Sequence, residues 1–209
     1  MSSRSGMIVL AGGRSTRMGF SKHRIEFAGA TALDRIIRVA SQCVDQIVVS
    51  VSDRDEARSL QSRLSASIRV VIDSAPGRGP LQGLSDSLKL LGGSVCVSAV
   101  VACDYPLVSR EMIRLLFNAL GSSDAIVPLV GGNHHVLLSV VRVDAFRNVG
   151  ELLESGRYSV QGAFRSKKTS IVTEETMLRF GIDPAVLATA NTPPELEYVR
   201  TLASRLNRP

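Results

Sequence analysis

Aromatic side chains are scarce in this chain: six phenylalanines, three tyrosines and no tryptophan among 209 residues. Proteins that bind single-stranded nucleic acid need aromatic stacking platforms set in a basic groove. The basic residues here are scattered and never interleaved with aromatics, so no nucleic-acid surface is expected. Cysteine is equally sparse. Cys43, Cys96 and Cys103 are odd in number and form no C-x-x-C pair. That argues against a thiolate metal site or a disulfide framework and leaves buried, reduced thiols as the expectation. No apolar run reaches the roughly 18–20 residues that span a bilayer, so no membrane is expected as a partner. The opening stretch MSSRSG is polar and carries no signal-peptide core, so a cytoplasmic location is expected. Repeats, low-complexity tracts and linkers are absent, and a single domain over residues 1–209 follows.

What the chain does have is an ordinary globular balance, 44% hydrophobic and 21% charged, with a net charge of +6. A basic pocket for a small polyanionic substrate accounts for that charge. Short apolar runs suit buried strands at Met7–Leu10, Gln46–Val51, Arg69–Ile72, Val95–Ala102 and Ala125–Leu129. Between them lie helical patterns. Leu33, Ile36, Ile37, Ala40 and Val44 share one helix face, and Arg54–Leu64, Pro80–Leu91 and 110–120 read as further helices. His23–Gly29 reads as a short extended segment and turn. Val136–Val143 reads as a late antiparallel strand, because the turn at Gly131-Gly132-Asn133 is so short. Val143–Glu154 reads as a helix, Ser155–Ser159 as a loop, Ser170–Thr173 as an edge strand, and Pro194–Leu206 as a final helix. Strands alternating with helices predict an α/β fold with a doubly wound, mostly parallel sheet and helices on both faces.

The stretch Ile8–Lys22, IVLAGGRSTRMGFSK, organises the chain. A buried strand runs into paired glycines, small hydroxyl residues and the cations Arg14, Arg17 and Lys22. Glycines let backbone N–H groups approach an anion closely, and the carboxyl end of a parallel sheet is where such folds bind nucleotides. The loop fits neither a Walker A nor a G-x-G-x-x-G fingerprint, since Phe20 follows Gly19 and Gly12 adjoins Gly13. Two further loops attract notice. Asp73–Gly83, DSAPGRGPLQG, places Pro80 in the first turn of a helix whose free N–H groups face the loop. Cys103-Asp104-Tyr105-Pro106 follows the most apolar strand, and a carboxylate there is costly unless paired or bound to a metal. It also suits a plain turn.

Leu10, Ala11, Gly12, Gly13, Ser15, Arg17, Met18, Gly19 and Lys22 together resemble the LAGG-x-S-x-R-M-G-x-x-K signature of the molybdenum cofactor guanylyltransferases. The resemblance runs from Ile8 to about Leu196. It implies a Rossmann-like nucleotidyltransferase fold and transfer of GMP from GTP to the phosphate of molybdopterin or the molybdenum cofactor, with release of pyrophosphate. Lys22, Asp104 and Arg17 are implied as catalytic residues, and Asp104, in the family's C-D-x-P segment, as the ligand of Mg²⁺. The implied GTP pocket comprises Leu10, Ala11, Gly12, Gly13, Arg14, Ser15, Lys22, Ser50, Asp73, Gly79, Pro80, Leu81, Gly83 and Asp104. His135 stands at the histidine of the family's H-P pair and is implied as an acceptor-side residue. Asn191 and Thr192, in a segment resembling N-x-N-T-P-E-[DE]-L, are implied to face the pterin. His134 reads as a turn residue: neighbouring strand residues point to opposite faces, so the two histidines do not share one metal ion. The sequence departs from the pattern at Ser21, His23-Arg24, Val136, Thr189 and Pro194. Alternatives at this level are a same-fold enzyme using CTP or another phosphorylated acceptor, and an inactive GTP-binding relative. Transient contact with cofactor-handling proteins is compatible with all of them.

Overall fold

The computed structural model describes residues 4–12, 24–27 and 29–206. The strands are β1 Arg4–Leu10, β2 Glu26–Phe27, β3 Ala30–Thr31, β4 Gln46–Val51, β5 Ile68–Ile72, β6 Val95–Ala102, β7 Ala125–Val130, β8 Asn133–His134, β9 Leu138–Arg142 and β10 Thr169–Thr173. The helices are α1 Ala32–Ala40, α2 Arg54–Arg63, α3 Pro80–Leu91, α4 Arg110–Ala119, α5 Val149–Glu154, α6 Val160–Arg165, α7 Glu174–Arg179 and α8 Pro193–Leu206.

The main sheet runs β10-β7-β9-β6-β1-β4-β5, with β8 paired to β7. β1 is parallel to β4 and β6, β4 to β5, and β7 to β10. Only β9, between β6 and β7 and antiparallel to both, and the short β8 reverse direction. The expected late antiparallel strand is therefore present, and β8 adds a second. Met7, Ile8 and Val9 are each fully buried. Consecutive strand residues point to opposite faces, so both faces of the sheet centre are covered.

Several boundaries depart from the expected ones. The helical pattern continues to Val44, but α1 stops at Ala40 and Val44 reaches the core from the following turn. Val143–Glu154 is not one helix. It divides into a 3-10 turn, Asp144–Phe146, anchored by the buried Phe146, and the short α5. The 23–29 segment contributes β2 to a two-stranded ribbon with β3, which follows it. Cys96 is exposed rather than buried: near the start of β6 it points to the face opposite the buried Val95, and the strand is fully buried only from Ser98 on. None of the helices among the described residues is long and apolar enough to cross a membrane.

Parallel strands deliver their carboxyl ends to one rim. Backbone bonds continue across that rim beyond the strands: Ala11 N–H to Ser50 O (2.8 Å), Asp73 N–H to Val51 O (2.8 Å) and Cys103 N–H to Leu10 O (3.0 Å). A second apolar cluster, apart from the main core, brings the carboxyl-terminal helix to the same rim. In it Leu196, Val199 and Ala203 of α8 pack on Ile25, Phe27 and Leu107. Each fully buried leucine or valine stabilises such a contact by about 1.5–3 kcal/mol.

Candidate active site

The rim carries two groups of residues side by side. The first lies over β1, β4 and β5 and centres on Asp73. Ser50, 1% exposed, donates its hydroxyl to Asp73 Oδ1 at 2.6 Å. Two glycines flank this pair. A Cβ on Gly83 would overlap Ser50 Oγ and lie 3.1 Å from Asp73 Oδ1. One on Gly12 would lie 3.3 Å from Asp73 Oδ2 and 3.2 Å from the Ser52 backbone nitrogen. The glycines of two separate sequence motifs thus clear space around one carboxylate. Burial pushes that carboxyl above its ordinary range, the Ser50 bond opposes the shift, and the Asp86 charge adds to it.

Asp86 holds the loop that follows Asp73. Its carboxylate accepts from the Ser74 N–H (2.8 Å), the Ser74 hydroxyl (3.1 Å) and Gln82 Nε2 (2.9 Å). Burial works against its charge, but these donors outweigh it and hold the carboxyl below the ordinary range. The loop ends at Gly79, whose φ of +75° a residue with a side chain adopts only under strain. Pro80 then opens α3 where its missing N–H costs no helix bond.

Together these residues bound a cleft of about 1010 Å³. Leu10, Gly12, Ser50, Asp73, Gly79, Pro80 and Gly83 all line it. Ala11 and Leu81 do not: both are buried behind it, and Leu81 belongs to the main core. Arg24, Ser52, Asp53, Asp55 and Glu56 also line the cleft and were not singled out from the sequence. For Ser52, Asp53, Asp55 and Glu56 the signal was their position just past the carboxyl end of β4.

The second group surrounds Asp104, one turn past β6. Asp104 is half-buried, and its Oδ1 is shut off from solvent. Its backbone carbonyl accepts from Ala190 N–H at 3.3 Å, which brings Asn191 and Thr192 beside it. The turn is tied down again at Pro106, whose carbonyl accepts from Arg35 Nε at 2.9 Å. Tyr105, 6% exposed, places its hydroxyl 3.1 Å from His135 Nδ1, and the two rings meet edge to face with centroids 5.8 Å apart. Burial, and secondly the Asp104 charge, push the Tyr105 phenol far above its usual range. Burial holds the His135 imidazole below its own, against a backbone bond to Val130 that favours the proton. His134, expected to be a turn residue, is exposed and in the short strand β8, opposite Leu129.

Thr192 caps α8. It receives Leu196 N–H on its carbonyl at 2.9 Å and Glu195 N–H on its hydroxyl at 3.4 Å, while Glu195 reaches back to Asn191 N–H at 2.8 Å. Pro193 and Pro194 fill the first turn, where neither needs an N–H. The extra proline therefore fits the start of the helix without breaking it.

The rim thus brings Asp104, His135, Asn191 and Thr192 into one neighbourhood, adjoining the cleft through Leu10. Gly13, Arg14, Ser15, Arg17 and Lys22 lie outside the described residues. Tyr105 was overlooked in the sequence, where Asp-Tyr-Pro reads as a turn.

The family model of the MobA-like NTP transferase domain matches residues 7–169. Two curated relatives carry the name "Probable molybdenum cofactor guanylyltransferase". The one from Methanosarcina acetivorans is 33% identical over 191 residues, covering 88% of this chain and 84% of its own. The one from Pelotomaculum thermopropionicum is 27% identical over 196 residues, covering 94% and 92%. The crystal structure of a molybdopterin-guanine dinucleotide biosynthesis protein A from Archaeoglobus fulgidus shares the fold, with a TM-score of 0.81 at 21% identity over 96% of this chain and 99% of that one. With the parallel sheet, its rim cleft and these matches, the chain belongs to the MobA-like NTP transferase family and is a nucleotidyltransferase related to the molybdenum cofactor guanylyltransferases.

Proposed function

We propose that the protein transfers GMP from GTP to the phosphate of molybdopterin or of its molybdenum-loaded form, releasing pyrophosphate. The observation that carries this reading is the character of the cleft, in a chain 27–33% identical to proteins named for that activity. Asp73, Asp53, Asp55 and Glu56 make the β4–β5 end acidic. Carboxylates repel a triphosphate and favour a base edge rich in N–H donors. Guanine presents N1–H and N2–H together, whereas cytosine presents only its amino group. The base accordingly lies toward Asp73 and the phosphates toward β1 and β6, where Arg24 lines the cleft.

Asp104 fits a magnesium ion. It is a hard oxygen donor at the rim, and no group of three or more His, Cys, Asp or Glu side chains forms a metal cage among the described residues. Mg²⁺ suits such a site, since it takes one or two carboxylates and completes its shell with phosphate oxygens and water. When bound, Mg²⁺ supplies neutralisation of the phosphate charge. Lys22, Arg17 and the Gly12–Ser15 backbone are assigned to the phosphates on their motif positions. An acceptor phosphate oxygen attacks the α-phosphorus of GTP, a new P–O–P bond forms, and the bond to the β-phosphate breaks with pyrophosphate leaving. The attacking oxygen is already anionic, so the residues need only position and neutralise, without a strong general base.

Thermal-shift titration with GTP, CTP and ATP, each with and without Mg²⁺, tests this. A ligand at 100 times its Kd stabilises by about 2.7 kcal/mol. A magnesium-dependent shift with GTP alone is expected, followed by pyrophosphate release when molybdopterin is added. A CTP preference overturns the guanylyl reading, and GTP binding without turnover on the pterin overturns the transfer reading.

A further inference from the structure

His135 is the residue whose surroundings differ most from the role implied by the sequence. An acceptor-side histidine needs a ring nitrogen free to meet its substrate. Here Nδ1 is taken by the Tyr105 hydroxyl at 3.1 Å, and the half-buried ring lies edge to face against the tyrosine. The His135 backbone N–H is bound as well, to Pro128 O at 2.9 Å. A neutral imidazole with its proton on Nε2 accepts at Nδ1 from the Tyr105 hydroxyl. His135, tied to β7 by its backbone N–H and to Tyr105 by its ring, therefore bridges β7 to the turn that carries Asp104. Tyr105 is buried, and a buried phenol without a partner is costly, so the bond strongly favours one position of the turn.

The geometry points to His135 as a positioning residue that, through the Tyr105 hydroxyl, fixes the direction of the Asp104 carboxylate, rather than as a ligand of the acceptor. This rests on the proposed assignment of Asp104 to the metal. Two other anchors of the turn act on backbone groups: Ala190 N–H on the Asp104 carbonyl, and Arg35 on the Pro106 carbonyl. The Tyr105–His135 bond is different, because it is a side-chain tie on the residue next to Asp104. It joins parts of the chain thirty residues apart. Residues that orient a metal ligand from behind typically change metal affinity by about 10–100-fold when removed.

The test measures the Mg²⁺ concentration needed for half-maximal binding of a fluorescent GTP analogue, with no acceptor present. Tyr105→Phe and His135→Ala are each expected to raise it, by about tenfold at the upper end. The double variant should be no worse than either single one, because the two groups act as a unit. His135→Asn places an amide oxygen near the former Nδ1 and should restore most of the wild-type requirement. Far-UV circular dichroism and melting checks confirm folding, and Tyr105→Phe and His135→Asn change shape so little that they keep the test decisive. If Asp104→Asn abolishes the magnesium requirement while Tyr105→Phe and His135→Ala leave it unchanged, the positioning role is wrong and the metal assignment stands. If Asp104→Asn itself leaves the requirement unchanged, the metal assignment falls and the positioning role falls with it. In a separate steady-state assay with the acceptor present, a His135→Ala variant that alters only the acceptor KM and leaves the Mg²⁺ requirement unchanged returns His135 to the acceptor site.

Discussion

The two ends of the rim, the proposed base end at Asp73 and the proposed acceptor end at Asp104, are built by different physical means. At the base end, Asp73 is framed by what is missing: side chains on Gly12 and Gly83 would crowd its two oxygens. The strands beneath it, β1, β4 and β5, are sheet neighbours in continuous parallel register. At the acceptor end, Asp104 is framed by what is present: bonds reach its turn from α1, from the loop before α8 and from the segment after β8. One end is shaped by excluded volume, the other by long-range hydrogen bonds. The base end should therefore break when volume is added, and the acceptor end when polar groups are removed.

Asp104→Asn should have the largest effect. It preserves volume and removes the charge that the proposed mechanism requires. By analogy with the loss of other preorganised charge-stabilising groups, kcat/KM is expected to fall by about 10²–10³. Steady-state pyrophosphate release with saturating GTP measures it, and a turnover within twofold of wild type would remove Asp104 from the mechanism.

Gly83→Ala comes next and tests the volume argument. The added methyl meets Ser50 Oγ, which is held by Asp73 and 1% exposed. Overpacking of this kind costs about 1–3 kcal/mol. Chemical denaturation should show that loss, and GTP affinity should drop with it. Adding Ser50→Ala removes the obstructing hydroxyl and should recover much of the stability. It should not recover the affinity, because Asp73 loses its orienting donor. If Gly83→Ala alone is neutral, helix α3 has room to shift and the packing account fails.

The same contrast explains what could be read from the sequence. β4 and β6 were legible to the residue, because a central parallel strand needs an uninterrupted apolar run and such runs stand out. The base end was legible for a related reason: glycines at fixed spacing near strand ends mark close approaches. α6 and α7 were not legible. Each is six residues long and begins at a single hydroxyl cap, Ser159 or Thr173, which looks like any loop serine or threonine. The acceptor end was legible as a set of residues but not as an arrangement. Nothing local in Asp-Tyr-Pro or His-His shows that a tyrosine and a histidine thirty positions apart share a proton. The roles implied for Asn191 and Thr192 met the same limit, since their bonds within the α8 cap emerge only once the helix start is placed.

Thr192→Ala is the third prediction, with a smaller effect. Losing the capping hydroxyl should cost about 1 kcal/mol, measurable as a shift in the denaturation midpoint, and Thr192→Ser should cost far less. If the threonine also contacts the pterin, Thr192→Ser and Thr192→Ala will differ in acceptor KM by more than their stabilities predict. Equal acceptor KM values would leave Thr192 as a helix cap alone.

The smallest expected effect returns to the base end and concerns pH. Asp73 and Asp86 are shifted in opposite directions. Asp73 has its folded value above the reference of 3.8, so its charged form subtracts from the stability of the empty protein at neutral pH. That loss is recovered as pH falls through the folded value toward 3.8. Asp86 has its folded value below 3.8, so its contribution is complete above 3.8 and disappears as pH falls through the folded value. The two slopes oppose one another in wild type. Asp73→Asn removes only the first, so its melting temperature at pH 7 should be slightly higher than wild type, and its gain on mild acidification should vanish. The half-exposed position of Asp73 keeps the difference small, because solvent screens it. A lower melting temperature for Asp73→Asn at pH 7 would mean that the carboxylate is held for the fold. A higher one, accompanied by loss of GTP binding, would mean that the fold tolerates an unfavourable charge where the nucleotide requires it, a trade of stability for function common to binding sites.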